Sequence, residues 1–380
     1  MRSGLRLAFC LFSYHPYGGL QRDFLRIATA CRSRGHDIHV FAMEWSGERP
    51  RGIHIELLPA PRWWRNHLRN RSFIASLRKR LASSAFDLVV GFNRMPGLDV
   101  YYAADPCYVA SVRERRGSLY RLGARYRNHA ACEKAVFSPA AGTRILAIAE
   151  QEIKRFRSHY GTPQSRFTLL PPGIAPDRRM AGDANGIRSD LRAEFGIEER
   201  ERLLLFVGSD FHRKGLDRVI RALASLDSGM RRKTRLVVVG RDNPGPFLRL
   251  AKRRGVDRQL SCAGAREDVP RFLLGADILV HPAYSENTGT VLLEALASGL
   301  PVLTTGNCGY AFHVERAGAG RVLTGPFSQD SFNLRLAEML DSDQLPAWRR
   351  NAIEYSRSED LYSLVDYSCE LIEKFAGYRC

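Results

Sequence analysis

Short apolar segments alternate with amphipathic segments along the chain. In residues 1–172, apolar runs of strand length are separated by stretches with the period of a helix. The strands predicted there are residues 5–12, 38–42, 53–58, 88–91, 100–103, 144–149 and 167–170, and the clearest helices are residues 20–34 and 71–82. This alternation indicates a parallel sheet that is covered by helices on both faces.

The same alternation begins again after Pro171-Pro172-Gly173, which has the composition of a linker. The strands predicted after it are residues 203–207, 235–239, 278–281 and 302–304, and the helices are near residues 217–226, 246–254, 268–274, 288–297, 332–341 and 361–375. A length of 380 residues also suggests two domains. We therefore predict an α/β protein with two Rossmann-like domains, the first being residues 1–172.

Composition narrows the class of protein. With 44% hydrophobic and 26% charged residues, the chain resembles an ordinary folded soluble protein. No apolar run approaches the roughly 18–20 residues that cross a bilayer, and Arg6 interrupts the N-terminal apolar run, which we interpret as a first strand and not as a secretory signal. The eight cysteines form no C-x-x-C pair, so we expect reduced thiols in a cytoplasmic protein.

Basic residues are concentrated in the first predicted domain. Residues 1–172 contain 28 Lys and Arg against 12 Asp and Glu, so they carry +16 of the net charge of +18. Residues 108–137 alone hold seven Lys and Arg against two Asp and Glu. Such a domain favours a polyanionic partner, which could be nucleic acid, an anionic lipid surface or a phosphorylated glycan.

Two glutamates eight residues apart flank a glycine in the second predicted domain. Glu286 follows a predicted strand, Gly289 comes next to an apolar helical run, and Glu294 is expected about two turns inside it. This spacing separates the carboxylates by roughly 10 Å along the helix axis. The helix N-terminus between them favours a phosphate, so the arrangement suits a sugar nucleotide. Considered without the glycine and the apolar run, the two glutamates could equally be a loop residue and a surface residue of an ordinary helix.

Glycines and cations follow other predicted strands. Gly18 and Gly19 open the first helix, where they permit unusual backbone conformations and a close approach of a ligand. Arg213 and Lys214 follow the first strand of the second domain, where a fixed cation pair would suit the diphosphate of such a ligand. A tight turn and a solvated surface pair are the plainer interpretations. The chain lacks the G-x-G-x-x-G fingerprint here and has no D-x-D triplet at a strand end.

The stretch from residue 281 to 302 resembles the E-x7-E motif of retaining glycosyltransferase family 4. Further stretches resemble a narrower group in that family, the bacterial lipopolysaccharide core glucosyltransferases: residues 17–24, 90–101, 170–174, 208–211 and 360–363. The resemblance implies the GT-B fold, in which two Rossmann-like domains with parallel sheets face each other across a cleft. It also implies that the second domain is residues 173–355 and that a C-terminal helix, about residues 356–380, returns to the first.

The resemblance implies roles for individual residues. The catalytic residues would be Asp105, Glu286, Lys214 and Asp23. The donor-binding residues would be Gly18, Gly19, Arg213, Lys214, Arg266, Glu286, Asn287, Thr288, Gly289, Thr290 and Glu294. Arg266 belongs to a strand-end turn of the kind that holds uracil in this fold. Enzymes of this fold usually need no metal, so we expect a UDP-sugar as co-substrate and neither a cofactor nor a metal.

The implied reaction moves a hexose, best matched by glucose, from a UDP-sugar to a heptose of the lipopolysaccharide inner core in an α-1,3 link. The acceptor is a phosphorylated lipid, which predicts a peripheral position on the cytoplasmic face of the inner membrane. The predicted membrane and acceptor contacts are Arg113, Arg115, Arg116, Arg121, Arg125 and Arg127. In a continuous helix Leu119, Leu122, Tyr126 and Ala130 would share one face, opposite Arg121 and Arg125.

The sequence leaves other functions open. Asn287 and Thr288 resemble family members that transfer an N-acetylated galactose, so UDP-N-acetylgalactosamine or another UDP-hexose is the alternative donor. A nucleic-acid-binding protein would fit the charge, but no helix-turn-helix, zinc or aromatic-basic module is present. A catalytically inactive scaffold is disfavoured because all the motif positions are filled. A nucleotide-sugar epimerase is disfavoured by the basic first half.

Overall fold

The computed structural model describes residues 4–16, 18–61, 65–175 and 183–377. These residues form two compact units, Met1–Gly173 with Ser363–Cys380, and Ile174–Tyr362. The first predicted boundary differs by one residue. The returning segment begins at Ser363 instead of about residue 356, because the preceding helix continues to Ser358 inside the second unit.

The strands are short, and most of them lie at the positions along the chain that the apolar runs predicted. The strands are β1 (Arg6–Cys10), β2 (Ser13–Tyr14), β3 (Asp37–Ala42), β4 (Glu44–Trp45), β5 (His54–Leu57), β6 (Leu88–Gly91), β7 (Val100–Ala103), β8 (Arg144–Ala147), β9 (Phe167–Leu169), β10 (Arg202–Val207), β11 (Thr234–Val239), β12 (Leu260–Gly264), β13 (Ile278–His281), β14 (Val302–Thr305) and β15 (Gly320–Leu323).

Helices lie between most pairs of successive strands, but not between β1 and β2, β3 and β4, β4 and β5, or β6 and β7. The helices are α1 (Gly19–Ser33), α2 (Asn66–Ala82), α3 (Tyr108–Arg115), α4 (Ala124–Phe137), α5 (Glu150–Tyr160), α6 (Ala184–Glu194), α7 (Leu216–Ser225), α8 (Ser228–Arg232), α9 (Gly245–Arg253), α10 (Val269–Gly275), α11 (Thr290–Ala297), α12 (Ala311–Ala317), α13 (Gln329–Leu340), α14 (Leu345–Ser358) and α15 (Leu364–Gly377). Within the described ranges, none is long and apolar enough to cross a membrane.

The first unit is built on a parallel sheet in the order β5-β3-β1-β6-β7-β8-β9. Successive residues of β1 point to opposite faces, so that Phe9 packs in one hydrophobic cluster and Cys10 in another. The chain adds β3 and β5 on one side of β1 and then crosses to β6 on the other. Ligands of open α/β sheets bind at the carboxyl ends of the strands beside such a reversal of strand order.

The last helix, α15, belongs to the first unit and packs on α1. The Sγ atoms of Cys31 and Cys369 are 3.3 Å apart in this contact, and both thiols are buried. The carboxylate of Glu373 lies 3.3 Å from Arg34 and 2.9 Å from His36. The chain therefore ends on the unit in which it began.

The second unit repeats the architecture with a parallel sheet in the order β12-β11-β10-β13-β14-β15. Both faces of β10 are covered, since Leu205 and Phe206 pack in different clusters. The strand order reverses between β10 and β13, which are hydrogen-bonded neighbours. The loops after these two strands therefore lie side by side.

Candidate active site

The two loops beside the strand-order reversal of the second unit bring charged side chains together. The loop after β10 carries Arg213 and Lys214, and the loop after β13 carries Glu286. The Oε2 atom of Glu286 lies 3.1 Å from Arg213 Nη1 and 3.1 Å from Lys214 Nζ. These three side chains, with Asp210, form what we call the ion cluster.

Arg213 is fixed from more than one side. Its Nε donates a hydrogen bond to Asp210 at 2.9 Å, and its Nη1 donates to the carbonyl oxygen of Ser285 at 2.9 Å. Asp210 has a φ of 61°, in the left-handed region that costs free energy for a residue other than glycine. The loop thus accepts backbone strain at the residue that orients the arginine.

The ion cluster lies against a histidine that the sequence reasoning missed. His281 ends β13 and is fully buried, and its Nε2 is 3.9 Å from Glu286 Oε2, beyond hydrogen-bond length. Burial lowers the pKa of His281, so the ring is neutral at pH 7. Burial alone would raise the pKa of Glu286, but the cations of Lys214 and Arg213, each 3.1 Å away, outweigh it and hold the pKa well below its usual range. Glu286 is therefore ionised and can only accept hydrogen bonds.

The second glutamate differs from its predicted position. Gly289 caps α11 with a left-handed φ of 79°, so the helix begins at Thr290 and not near residue 288. Glu294 is consequently little more than one turn inside α11, not two, and it is buried. Glu286 lies outside the helix and forms a β-bridge with Cys308. The axial estimate of the separation between the two carboxylates therefore does not apply.

The segment between the glutamates is braced by the loop after β14. The N–H of Tyr310 donates to the carbonyl oxygen of Thr288 at 2.7 Å. Gly309 lies so close that a Cβ atom there would be 2.0 Å from the carbonyl oxygen of Asn287. Backbone contacts thus set the conformation of Asn287 and Thr288.

The structure does not bring Arg266 into the ion cluster. Arg266 follows the edge strand β12, and its guanidinium forms two hydrogen bonds of 2.8 Å with the carboxylate of Asp268. The Oε1 atom of Glu194 lies 3.5 Å from Arg266 Nη1. The cation of Arg266 is therefore already paired with carboxylates of its own unit.

Gly18 and Gly19 have ordinary backbone conformations at the start of α1. Gly18 has a φ of −95° as the N-cap of α1, and neither glycine has a positive φ. The expectation of conformations that other residues avoid is therefore wrong. A Cβ atom at Gly18 would lie 1.8 Å from Gln21 Oε1, whereas one at Gly19 would meet none of the described residues within 4 Å.

The two predicted acids of the first unit lie in different surroundings. Asp23 is on α1, where one carboxylate oxygen accepts a hydrogen bond from Tyr102 at 2.7 Å and the other lies 3.8 Å from Arg26. Asp105 follows β7, has a side chain that is 49% exposed, and lies 3.8 Å from Arg94. Asp105 is thus the more accessible of the two.

A buried carboxylate that the sequence did not single out organises the segment after Asp105. Glu133 of α4 is fully buried and forms an ion pair with Arg94. It also accepts hydrogen bonds from the N–H groups of Tyr108 at 2.7 Å and Val109 at 3.0 Å, in the first turn of α3. A single glutamate in a basic segment gives no signal in the sequence, because its burial arises only from tertiary packing.

The basic segment of residues 108–137 is not one helix. Helix α3, a 3-10 helix at Ser118–Leu122 and helix α4 follow one another. The predicted common apolar face is therefore wrong: the ring of Tyr126 packs 5.9 Å from that of Tyr108, while Leu119 and Leu122 are 80% and 71% exposed.

The exposed arginines of this segment form no ion pair within the part of the chain that the structure describes. The exposed ones with described side chains are Arg113, Arg116, Arg121, Arg125 and Arg127, and none forms an ion pair with any residue that the structure describes. The side chain of Arg115 lies outside the described residues. The segment therefore presents free positive charge next to two exposed leucines.

One group of side chains has the composition of a metal site. The ligand atoms of Asp37, His39 and His54 lie within 4.8 Å of one another. Arg6 occupies the same place, with its Nε 3.5 Å from the Asp37 carboxylate. Asp37 and His54 begin β3 and β5, so the group lies at the opposite edge of the sheet from Asp105.

Comparisons with known proteins agree with this geometry. The family described as Glycosyltransferase Family 4 matches residues 17–178, and that of Glycosyl transferases group 1 matches residues 187–359. Over 367 residues the chain is 45% identical to lipopolysaccharide glucosyltransferase WaaG of Escherichia coli (strain K12), covering 96% of this chain and 98% of that protein. The chain is a glycosyltransferase of the WaaG family.

Solved structures lead to the same fold. The crystal structure of WaaG, a glycosyltransferase involved in lipopolysaccharide biosynthesis, superposes with a TM-score of 0.92 over 96% of this chain and 99% of that one, at 45% identity. Anabaena Alr3699/HepE in complex with UDP and glucose gives a TM-score of 0.74 at 17% identity, over 97% of this chain and 99% of that one, which shows the fold alone. The predicted α/β GT-B fold, family and enzyme class are confirmed for this WaaG-family chain.

Proposed function

We propose that this chain transfers glucose from UDP-glucose to a heptose of the lipopolysaccharide inner core, in an α-1,3 link with retention at the anomeric carbon. The ion cluster carries the proposal. It holds Arg213 and Lys214 on Glu286 beside the strand-order reversal, directly before helix α11. The 45% identity to a protein named lipopolysaccharide glucosyltransferase supports the same reaction.

The donor diphosphate would bind at the start of α11. Free N–H groups and the positive end of the helix favour an anion there. Asp210 and Glu286 balance the formal charges of Arg213 and Lys214, so both cations are held in place before the donor arrives. Little reorganisation is then needed when negative charge develops on the leaving diphosphate, which is the condition for strong transition-state stabilisation.

The two glutamates would hold hydroxyl groups on either side of the diphosphate. Ionised Glu286 accepts from the transferred sugar, and buried Glu294 accepts from the ribose. The bond between C1 and the diphosphate oxygen breaks, and the acceptor oxygen bonds to C1 on the same face. The acceptor proton passes to the leaving diphosphate oxygen. Asp105, exposed at the end of β7, would bind the acceptor.

The site is tested by Glu286→Ala and Lys214→Ala. Each should lower kcat by about 10²–10³-fold, the usual cost of removing a preorganised transition-state contact. Glu338→Ala on α13 is the control, because that glutamate is exposed and, among the described residues, pairs only with Arg335. Thermal unfolding would show that the variants are folded. Near-normal turnover in both site variants refutes the assignment.

UDP-N-acetylgalactosamine is a second candidate donor. The observation that favours it is the pair Asn287 and Thr288 beside Glu286, since glucose-transferring members tend to carry small residues there. Heptose-terminated acceptor would be incubated with UDP-glucose, UDP-galactose, UDP-N-acetylglucosamine and UDP-N-acetylgalactosamine. UDP release and product mass then identify the sugar. Transfer of an N-acetylhexosamine alone would replace glucose in the proposal.

The basic segment is proposed to hold the enzyme on the anionic inner face of the membrane. Each basic side chain near such a surface contributes roughly 1 kcal/mol, and Leu119 and Leu122 are exposed for apolar contact. Charge reversal at four positions should weaken binding to anionic liposomes and spare UDP binding: Arg113, Arg115, Arg116 and Arg121. The matched control reverses four exposed cations of the second unit: Arg232, Lys252, Arg253 and Arg258. Equal liposome binding by both variants contradicts the proposal.

A further inference from the structure

A cavity of about 660 Å³ lies in the first unit between α2 and α4. Its walls come from three separate parts of the sequence: the first turns of α2, the loop after β6, and α4. Its polar lining consists of His67, Arg71, Arg127 and Asn128. Apolar lining includes Ile74 and small alanines of α4. The volume is typical of a small-molecule site.

The topology places this cavity on the same sheet edge as Asp105. Helices that follow parallel strands run back along them, so the start of α2 lies where the strands end. The loop after β6 supplies Pro96 to the cavity wall and also carries Arg94, which is 3.8 Å from the Asp105 carboxylate. Because β6 and β7 are neighbours, the cavity lies beside the acid that we place at the acceptor.

The charge in the cavity is uncompensated. Arg71 and Arg127 are exposed, and neither forms an ion pair with any residue in the described ranges. Other arginines of α2 do find acids, since Arg69 lies 2.6 Å from Glu44 and Arg80 lies 2.9 Å from Glu56. None of the described residues that line the cavity is acidic. Two free guanidinium groups without a competing carboxylate suit a phosphate.

The neutral part of the lining suits a sugar. The Oδ1 atom of Asn128 is buried and has no hydrogen-bond partner among the described residues. Rotation of this amide would let it exchange hydrogen bonds with a hydroxyl group. The side chains of Ile74, Ala131 and Ala135 offer apolar contact to the C–H faces of a sugar ring. The cavity thus combines anion recognition with sugar recognition.

We propose that this cavity binds a phosphorylated sugar of the lipid-linked acceptor, with the phosphate on Arg71 and Arg127. The inference rests on the proposed function. The position of the exposed leucines agrees with it: Leu122 is two residues before Ala124, which begins α4 and lines the cavity. A lipid that stays in the bilayer beside Leu119 and Leu122 can therefore present its sugar to the cavity.

The test compares Arg71→Gln with Arg78→Gln. Arg78 is two turns further along α2, is exposed, has no ion pair within the described ranges and does not line the cavity. Steady-state kinetics would be measured with the phosphorylated acceptor, the same acceptor after phosphatase treatment, and UDP-glucose. Arg71→Gln should raise the KM for the phosphorylated acceptor about tenfold, the scale of one charge-assisted hydrogen bond. The KM for UDP-glucose and for the dephosphorylated acceptor should not change, and Arg78→Gln should behave as the unaltered enzyme.

Two results would overturn the assignment while the proposed function stands. One is an equal KM for the phosphorylated acceptor in both variants. The other is that Arg71→Gln weakens binding to phosphatidylglycerol vesicles without acceptor as much as it weakens binding of the phosphorylated acceptor. That result would identify a phospholipid headgroup as the ligand. If the unaltered protein transfers no sugar from any donor, the proposed function fails first and the cavity assignment fails with it.

Discussion

The fully buried carboxylate of Glu133 gives the sharpest prediction about the first unit. Glu133→Gln preserves the size of the side chain and removes its charge. Arg94 then loses its buried partner, and the first turn of α3 keeps only a neutral acceptor for the N–H groups of Tyr108 and Val109. The change thus tests whether one carboxylate holds the basic segment on its domain.

The expected loss of stability depends on the partners that Arg94 keeps after the substitution. Removal of one partner of a buried ion pair costs about 3–5 kcal/mol. Arg94 keeps a hydrogen bond of 2.9 Å to the carbonyl oxygen of Pro106, and Asp105 is 3.8 Å away, so the lower end applies. For a unit of this size each kcal/mol lowers Tm by about 2–4 °C. The transition of the first unit should therefore fall by about 6–12 °C.

Differential scanning calorimetry would measure the loss, and hydrogen exchange would locate it at the amides of Tyr108 and Val109. The control is Glu114→Gln, whose carboxylate is 57% exposed in its pair with Arg155 and should contribute less than about 1 kcal/mol. If Glu133→Gln unfolds within about 2 °C of this control, the buried carboxylate does not anchor α3.

Three further changes test other parts of the structure. Gly309→Ala places a Cβ atom 2.0 Å from the Asn287 carbonyl oxygen, so the affinity for UDP-sugar measured by calorimetric titration should fall with little change in kcat for saturating donor. Burial lowers the pKa of His313 to about 4, from 6.5 when unfolded. The unfolded chain therefore binds a proton between these values, and stability falls as pH drops through this window. His313→Gln should reduce the loss between pH 7 and pH 5 by about 2 kcal/mol in urea unfolding, and an unchanged loss contradicts this. The Sγ atoms of Cys31 and Cys369 are 3.3 Å apart, so diamide should cross-link α15 to α1 in peptide maps. Failure to cross-link in the folded protein would contradict that contact.

Strands were predictable wherever burial is complete. Residues 88–91, 100–103 and 278–281 were predicted to the residue, because each is a continuous apolar run in the middle of a sheet. The edge strands β12 and β15 were not predicted, since their half-exposed residues give neither an apolar run nor a clean alternation. The edge strands β5 and β9 of the other sheet were predicted, so exposure at an edge weakens the sequence pattern without always removing it.

The candidate site was predictable as residue types and not as contacts. Glu286, Arg213 and Lys214 stand in two contiguous motifs, so the sequence indicated each of them. Arg213 and Lys214 both contact one carboxylate oxygen of Glu286 because β10 and β13 are neighbours in the sheet. The local periodicity of a sequence does not predict strand order. Asp210 and His281 support the cluster through backbone strain and burial, which only the folded chain defines. The cavity in the first unit combines three distant segments and gives no local signal.

The proposed site and the proposed acceptor cavity use cations in different ways, because one pair of cations is held on a carboxylate and the other pair is exposed. The dependence of the kinetic constants on salt concentration can distinguish the two. Arg213 and Lys214 are held on a carboxylate within 3.1 Å, and in the proposed reaction they would act on charge that develops on the leaving diphosphate. Arg71 and Arg127 are exposed and unpaired in the described part of the chain, so in the proposed acceptor cavity they would attract the approaching anion through solvent. The Debye length falls from roughly 10 Å at 0.1 M salt to about 3 Å at 1 M. Raising salt should therefore raise the KM for the phosphorylated acceptor several-fold while kcat at saturating substrates changes little. A fall in kcat with an unchanged acceptor KM would show that the screened cations act in the chemical step instead.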